Sequence, residues 1–92
     1  MPLTISFLPK NMSTSKYDEV LRRLAAAGAS APSGRLFHTA FGPPNQLRVV
    51  DVWASQAEFE KFGEVLAPIL KELGVEQDAP DIQPQHNSIT GK

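Results

Sequence analysis

Two apolar runs separated by four residues constrain this chain more than any other feature. Residues 35–41, RLFHTAF, and 46–53, QLRVVDVW, flank GPPN. Glycine and proline punctuate such a link, and proline cannot donate inside a central ladder, so GPPN is a turn. The short link makes the two runs an antiparallel hairpin. Both runs are apolar at both parities: Leu36 and Ala40 alternate with Phe37 and Phe41, Leu47 and Val49 with Val50 and Val52. A sheet apolar on both faces needs a cover on both.

The covers for one face are legible on either side of the hairpin. Leu3, Ile5 and Phe7 alternate with Thr4 and Ser6, a strand pattern over residues 3–8. Ser15, with Asp18 three residues on, forms a capping-box-like start. Tyr17, Val20, Leu21 and Leu24 follow at helical spacing, and Gly28 is the stop, which predicts a helix over 16–27. After the hairpin, Ser55 and Glu58 form a capping box. Phe59, Phe62, Leu66, Ile69, Leu70 and Leu73 then line one helical stripe up to Gly74. Gly63 weakens that helix and Pro68 cannot donate to Glu64, so a kink, or two helices meeting near Gly63–Glu64, is expected. VEQDAP is a loop. DIQPQHNSIT, residues 81–90, reads as a fourth strand, placed at an edge by Pro84.

The order is β-α-β-β-α-β, an α+β, ferredoxin-like pattern over residues 1–92 taken as one domain. Right-handed crossovers put both helices on one face of a single antiparallel sheet. No residues are left to cover the other face. A second copy of the chain is the natural cover, so a homodimer with its two sheets face to face is expected.

Composition narrows the function classes. The 92 residues include no Cys, which excludes a disulfide framework, a thiolate metal site and a cysteine nucleophile. Small size without such staples favours self-association. Residues 1–50 carry six Lys and Arg against Asp18 and Glu19, and residues 51–92 carry three Lys against eight acids. That asymmetry suits two halves packing together. It offers no basic stripe for nucleic acid. No stretch approaches the roughly 20 apolar residues of a membrane span. The start, MPLTISFLPK, lacks the features of a secretory signal, so a soluble cytoplasmic protein is expected.

Asp51 is the residue that strand packing alone does not explain. It lies among Val49, Val50, Val52 and Trp53, where a carboxylate needs water, a partner or a pocket. A partner could be Arg35 or Arg48. The other use is as a general base. If Phe41 pairs with Gln46, His38 and Asp51 share a face as diagonal neighbours roughly 7 Å or less apart. A carboxylate that orients an imidazole is a recurring catalytic pair. A slip of one residue would separate them. Trp53 suits a buried strand end, and Tyr17 suits core packing. His38, His86 and Asp51 show no metal-ligand spacing, so no metal is expected.

The runs GRLFHTAF, LRVVDVWASQAEFEKF, LAPILKELG and QPQHN resemble the small dimeric α/β-barrel proteins grouped with the antibiotic-biosynthesis monooxygenases. The resemblance extends over essentially the whole chain. That superfamily includes cofactor-free monooxygenases, haem-degrading enzymes and isomerases, so the resemblance speaks to fold before activity. Its haem-degrading branch uses a first-strand Asn, a Trp ending the third strand and a His on the second helical segment. Trp53 matches, but LTISFL has no Asn and GEVLAPILKEL has no His. The cofactor-free branch binds a flat aromatic substrate that itself supplies electrons to dioxygen. On that resemblance His38 and Asp51 are the candidate catalytic pair. Trp53, Phe59, Phe62 and His86 are candidate substrate-binding residues, and no cofactor is required. A non-enzymatic binding module of the same fold is the alternative. A third reading starts from Pro2: with Met1 removed, its secondary amine could be a general base, as in proline-based tautomerases.

Overall fold

The computed structural model describes residues 2–76 and 79–91. Its elements are β1 (Leu3–Phe7), α1 (Thr14–Ala26), β2 (Arg35–Phe41), β3 (Arg48–Trp53), α2 (Gln56–Glu72) and β4 (Asp81–Pro84). Within the loop over 75–80, Gln77 and Asp78 lie outside the described residues, as do Met1 and Lys92. The four strands form one antiparallel sheet in the order β2-β3-β1-β4, the ferredoxin-like arrangement expected from the element order. No helix among the described residues is long and apolar enough to cross a membrane.

Both helices end by the same device. The Gly28 N–H donates to Ala25 and the Ala29 N–H to Leu24; the Gly74 N–H donates to Lys71 and the Val75 N–H to Leu70. These are Schellman closures, and both glycines adopt the positive φ they require, 72° and 70°. The start of α1 differs from expectation. Ser13, not Ser15, is the N-cap, its side chain accepting from the Lys16 N–H. Tertiary ties decide the frame: Thr14 N–H donates to Pro44 and Leu47 N–H to Met12. At α2 Ser55 caps as expected, accepting from the Glu58 N–H.

The helix α2 runs unbroken through Gly63 and Pro68, so the alternative of two separate helices does not form. A proline inside a helix costs about 3 kcal/mol. Burial of Phe62 before it and Leu70 after it offsets that, at about 1.5–3 kcal/mol each. The fourth strand is shorter than expected, four residues rather than ten. Pro84 has no N–H to continue the ladder, and beyond it only the Gln85 N–H reaches across, to the Pro2 carbonyl. As expected, β4 is an edge strand.

The core lies between sheet and helices: Ile5 and Trp53 from the strands, Val20 and Leu24 from α1, Phe62 and Leu70 from α2. Trp53 is fully buried, with ring centroids 5.6 Å from Phe59 and 5.4 Å from Phe62. Among the described residues, no helix covers the opposite sheet face. Phe37 and Phe41 on that face are 56% and 45% exposed, beside the half-buried Val50 and Val52.

The register of the hairpin departs from the one assumed. Phe41 pairs with Arg48, not Gln46, so His38 lies directly opposite Asp51. The two-residue difference preserves parity and therefore the shared face. The strict alternation of β2 also fails at its start. Arg35 pairs with Trp53 and Phe37 with Val52, which leaves Leu36 as an extra, unpaired residue. This β-bulge puts Leu36, 60% exposed, out of the core and turns Arg35 onto the helix side in its place.

Gly34 leads into the bulge with φ of 90°, and its carbonyl accepts from the Ala54 N–H. A Cβ there would meet the Glu58 carboxyl carbon at 2.4 Å. That carboxylate is held by Ser55 and Ser33 hydroxyls at 2.9 and 3.1 Å. Gly34→Ala is expected to lower stability by about 1–2 kcal/mol, the penalty of a side chain in the left-handed region. Urea unfolding measures it, and an unchanged midpoint would contradict the account.

Candidate active site

Four side chains from three elements join in one hydrogen-bonded line under the sheet. It begins with Asp51 in β3, whose carboxylate is buried with 3% of its surface exposed. Such a group is costly unless its oxygens are satisfied. Here Oδ1 is 2.5 Å from His38 Nδ1 and Oδ2 accepts from the Trp53 indole N–H at 3.2 Å. An ionised carboxylate only accepts, so Nδ1 carries the imidazole proton. In the neutral ring Nε2 is then the acceptor, and Tyr17 donates its hydroxyl to it at 2.6 Å. The ring planes of Tyr17 and His38 lie within 4° of parallel. No buried side-chain N or O among the described residues lacks a partner.

The backbone explains the assembly. Residues 51 and 53 of one strand share a face, which brings the indole N–H to the carboxylate. His38 is directly opposite Asp51 across the β2-β3 ladder. Tyr17 reaches down from the first turn of α1, positioned by the Ser13 cap.

Tyr17, His38 and Asp51 of this line form one wall of a cleft between sheet and helices. The cleft, partly open to solvent, has a cavity volume of about 60 Å³, below the roughly 300–1,000 Å³ of small-molecule sites, so a ring-sized ligand enters only where lining side chains such as Tyr17 move aside. Tyr17, Arg35, His38 and Asp51 are its polar lining, and Phe62 and Leu66 belong to its apolar lining. The Arg35 guanidinium lies 5.7 Å from the centroid of the Phe62 ring.

The structure brings some of the sequence-selected residues together and leaves others apart. His38, Asp51 and Phe62 line the cleft. Trp53 and Phe59 do not line it. Trp53 lies beneath, supporting Asp51 and Phe62, and Phe59 packs behind Trp53. His86 is exposed beyond the end of β4, away from this group. Neither Arg35 nor Arg48 pairs with Asp51; His38 and Trp53 take both of its oxygens. Pro2 is not among the cleft residues, and its carbonyl serves the β1-β4 edge. Among the described residues, no three His, Cys, Asp or Glu side chains converge as metal ligands. Sequence reasoning gave Tyr17 to the core and considered Arg35 only as one of two arginines that could pair with Asp51. The helical stripe gave Tyr17 its inward direction, but nothing local named His38 as its partner.

Comparison with solved structures places this architecture. The cofactor-independent oxygenase SnoaB from Streptomyces nogalater superposes with a TM-score of 0.70 at 15% identity, over 98% of each chain. An antibiotic-biosynthesis-monooxygenase-like protein from Chloroflexus aurantiacus gives 0.68 at 11% identity, again over 98% of each chain. Another from Deinococcus radiodurans gives 0.60 at 14% identity, over 100% of this chain and 99% of that one. The chain has the ferredoxin-like fold of these proteins. No protein-family model matches the sequence, and no match is found among curated proteins. At 10–15% identity the likeness is one of fold, so the chemistry has to be argued from the cleft itself.

Burial pushes the Tyr17 phenol above its ordinary 10.0; Arg35 pulls it back, while Asp51 and Asp18 push it further up. The folded chain therefore holds this proton to higher pH than the unfolded chain does. The resulting stability is fully present below pH 10.0 and is lost as pH rises through the raised folded value. Tyr17 is the one tyrosine of the sequence, so phenolate absorbance reports it alone. Its midpoint is expected to lie higher in the folded protein than in urea. A folded midpoint at or below the unfolded one would contradict the packing described.

Proposed function

We propose that the protein is a small-molecule-binding homodimer acting in the cytoplasm as a cofactor-independent monooxygenase on a phenol- or quinol-like aromatic compound. One observation carries this reading. A carboxylate-oriented imidazole presents Nε2 beside an apolar cleft, at a position that already receives a phenolic hydroxyl, that of Tyr17. A substrate hydroxyl placed there, with Tyr17 displaced, would give its proton to Nε2. Asp51 then lies against the positive charge that the ring gains. The fold likeness to a protein described as a cofactor-independent oxygenase supports the same direction.

The reaction balances without a further reductant. A phenol bearing hydrogen on the reacting ring carbon, plus dioxygen, gives a quinone and water. The ring supplies all four electrons. One oxygen atom stays on the ring carbon, and the other leaves as water with protons that His38 can return. Deprotonation makes the ring a better donor to dioxygen. An apolar wall that includes Phe62 and Leu66 keeps water from competing for the anion.

A second reading is favoured by the same geometry. Every member of the Tyr17–His38–Asp51–Trp53 line is already satisfied. A structural network inside a non-enzymatic binding module would look like this. Oxygen uptake with a panel of phenols and hydroquinones separates the two. The oxygenase reading expects uptake with at least one compound, lowered about 10²–10⁴-fold in His38→Gln and in Asp51→Asn. Uptake equal in wild type and both variants would overturn it, and ligand binding without any uptake would favour the binding module.

The dimer is proposed from the uncovered sheet face. Leu36, Phe37 and Phe41 are the large apolar side chains exposed there, and a contiguous patch of this kind marks an interface. Charge on both sides of an isologous contact is repeated by symmetry. Phe37→Glu with Phe41→Glu is therefore expected to convert a dimeric mass to a monomeric one in light scattering. A wild-type monomer would overturn this assignment.

A further inference from the structure

We infer that the cleft selects an aromatic ligand carrying an anionic oxygen group, with Arg35 as its counter-ion. This deepens the reading above and rests on it for the location of the ligand. The carrying observation is the bulge at Leu36. In a regular strand, residues 35 and 38 would face opposite sides of the sheet. The one extra residue turns Arg35 onto the face that carries His38, Asp51 and Trp53, and both Arg35 and His38 line the cleft. Bulges commonly re-aim a side chain beside a site.

The charge of Arg35 has no carboxylate to answer it. Among the described residues the ion pairs are Glu19 with Arg22 and Arg23, Glu72 with Arg23, and Asp51 with His38. Asp51, the one carboxylate lining the cleft, is held on both oxygens by His38 and Trp53. The guanidinium makes one hydrogen bond, from Nη2 to the Ser30 carbonyl at 3.1 Å, of the five N–H donors it possesses. Its flat face is placed by Phe62. A planar cation so held, with donors to spare, suits a carboxylate or an ionised hydroxyl on the ring in the cleft. It acts on Tyr17 in the same sense, favouring the ionised phenol. Arg35, Tyr17 and His38 line the same cleft.

The test uses benzoate and benzamide, rings of the same size that differ in charge. Binding is followed through the single Trp, Trp53, which packs against the cleft residue Phe62. Wild type is expected to bind benzoate at least about tenfold more tightly than benzamide, a charge-assisted pair being about twice as strong as a neutral one. Arg35→Met is expected to abolish the difference, with benzoate losing at least about tenfold more affinity than benzamide. Arg35→Lys should keep part of it. Adding phenol and 4-nitrophenol distinguishes the two anion sources: preference for benzoate alone assigns a fixed carboxylate, and tighter binding of the more acidic phenol assigns an ionised hydroxyl. No preference for benzoate in wild type, or a preference that survives in Arg35→Met, overturns the inference. An Arg35-dependent preference in a protein that consumes no oxygen with any phenol would leave this inference standing and remove the oxygenase reading. Circular dichroism of each variant separates loss of binding from loss of fold.

Discussion

Asp51 is a carboxylate taken out of water, and much of the molecule is arranged around satisfying it. A buried anion is tolerated only where hydrogen bonds replace its hydration. Two neighbours do this. Trp53, two residues along the same strand, covers one oxygen and anchors the core through Phe59 and Phe62. His38, directly across the ladder, covers the other and extends the line to Tyr17. A one-residue slip of β2 against β3 would put the imidazole on the other face and leave the carboxylate without it. The same pair that lets the sheet bury a charge also leaves an oriented imidazole at a cleft.

The two faces of the sheet have different tasks. The helix side carries the charge line, the cleft and the core. The other side carries the exposed Phe37 and Phe41 and the half-buried Val50 and Val52, with no helix of the described residues above them. The bulge at Leu36 belongs to both sides. It sends Leu36 outward beside Phe37, enlarging the apolar face, and it turns Arg35 inward. A single inserted residue thus links the chemistry of the cleft to the shape of the proposed interface. Gly34 stands just before it in a conformation that other residues avoid.

The polar line is at once a structural and a chemical object. Its fully satisfied state explains why the core tolerates four polar groups. Its terminal bond, Tyr17 to His38, joins α1 to the sheet. It is also the contact that an incoming hydroxyl would have to replace, so access to His38 depends on the position of α1. The Tyr17 phenol, raised above 10.0 by burial, carries its proton at ordinary pH, so it can exchange with another neutral hydroxyl without separating charge.

The sequence by itself determined the order of elements, the direction of their apolar faces and the glycine stops of both helices. Those are local properties. Period-2 alternation marks Leu3, Ile5 and Phe7; helical spacing marks Val20, Leu24, Phe62 and Leu70; Gly28 and Gly74 close the helices because few other residues adopt their φ. It also brought His38 and Asp51 to one face, since parity survives a two-residue error in register. Only the tertiary structure decided the rest. Ser13 rather than Ser15 caps α1 because Pro44 and Leu47 tie that segment from another part of the chain. The bulge at Leu36 has no local signature, as RLFHTAF is apolar at both parities and marks no extra residue, so the inward turn of Arg35 was invisible. Tyr17 meets His38 across 21 residues, and the second oxygen of Asp51 goes to the Trp53 indole rather than to Arg35 or Arg48. Each of these depends on which strands and helices come together, and pairing between distant segments is set by packing of the whole rather than by the residues beside each partner.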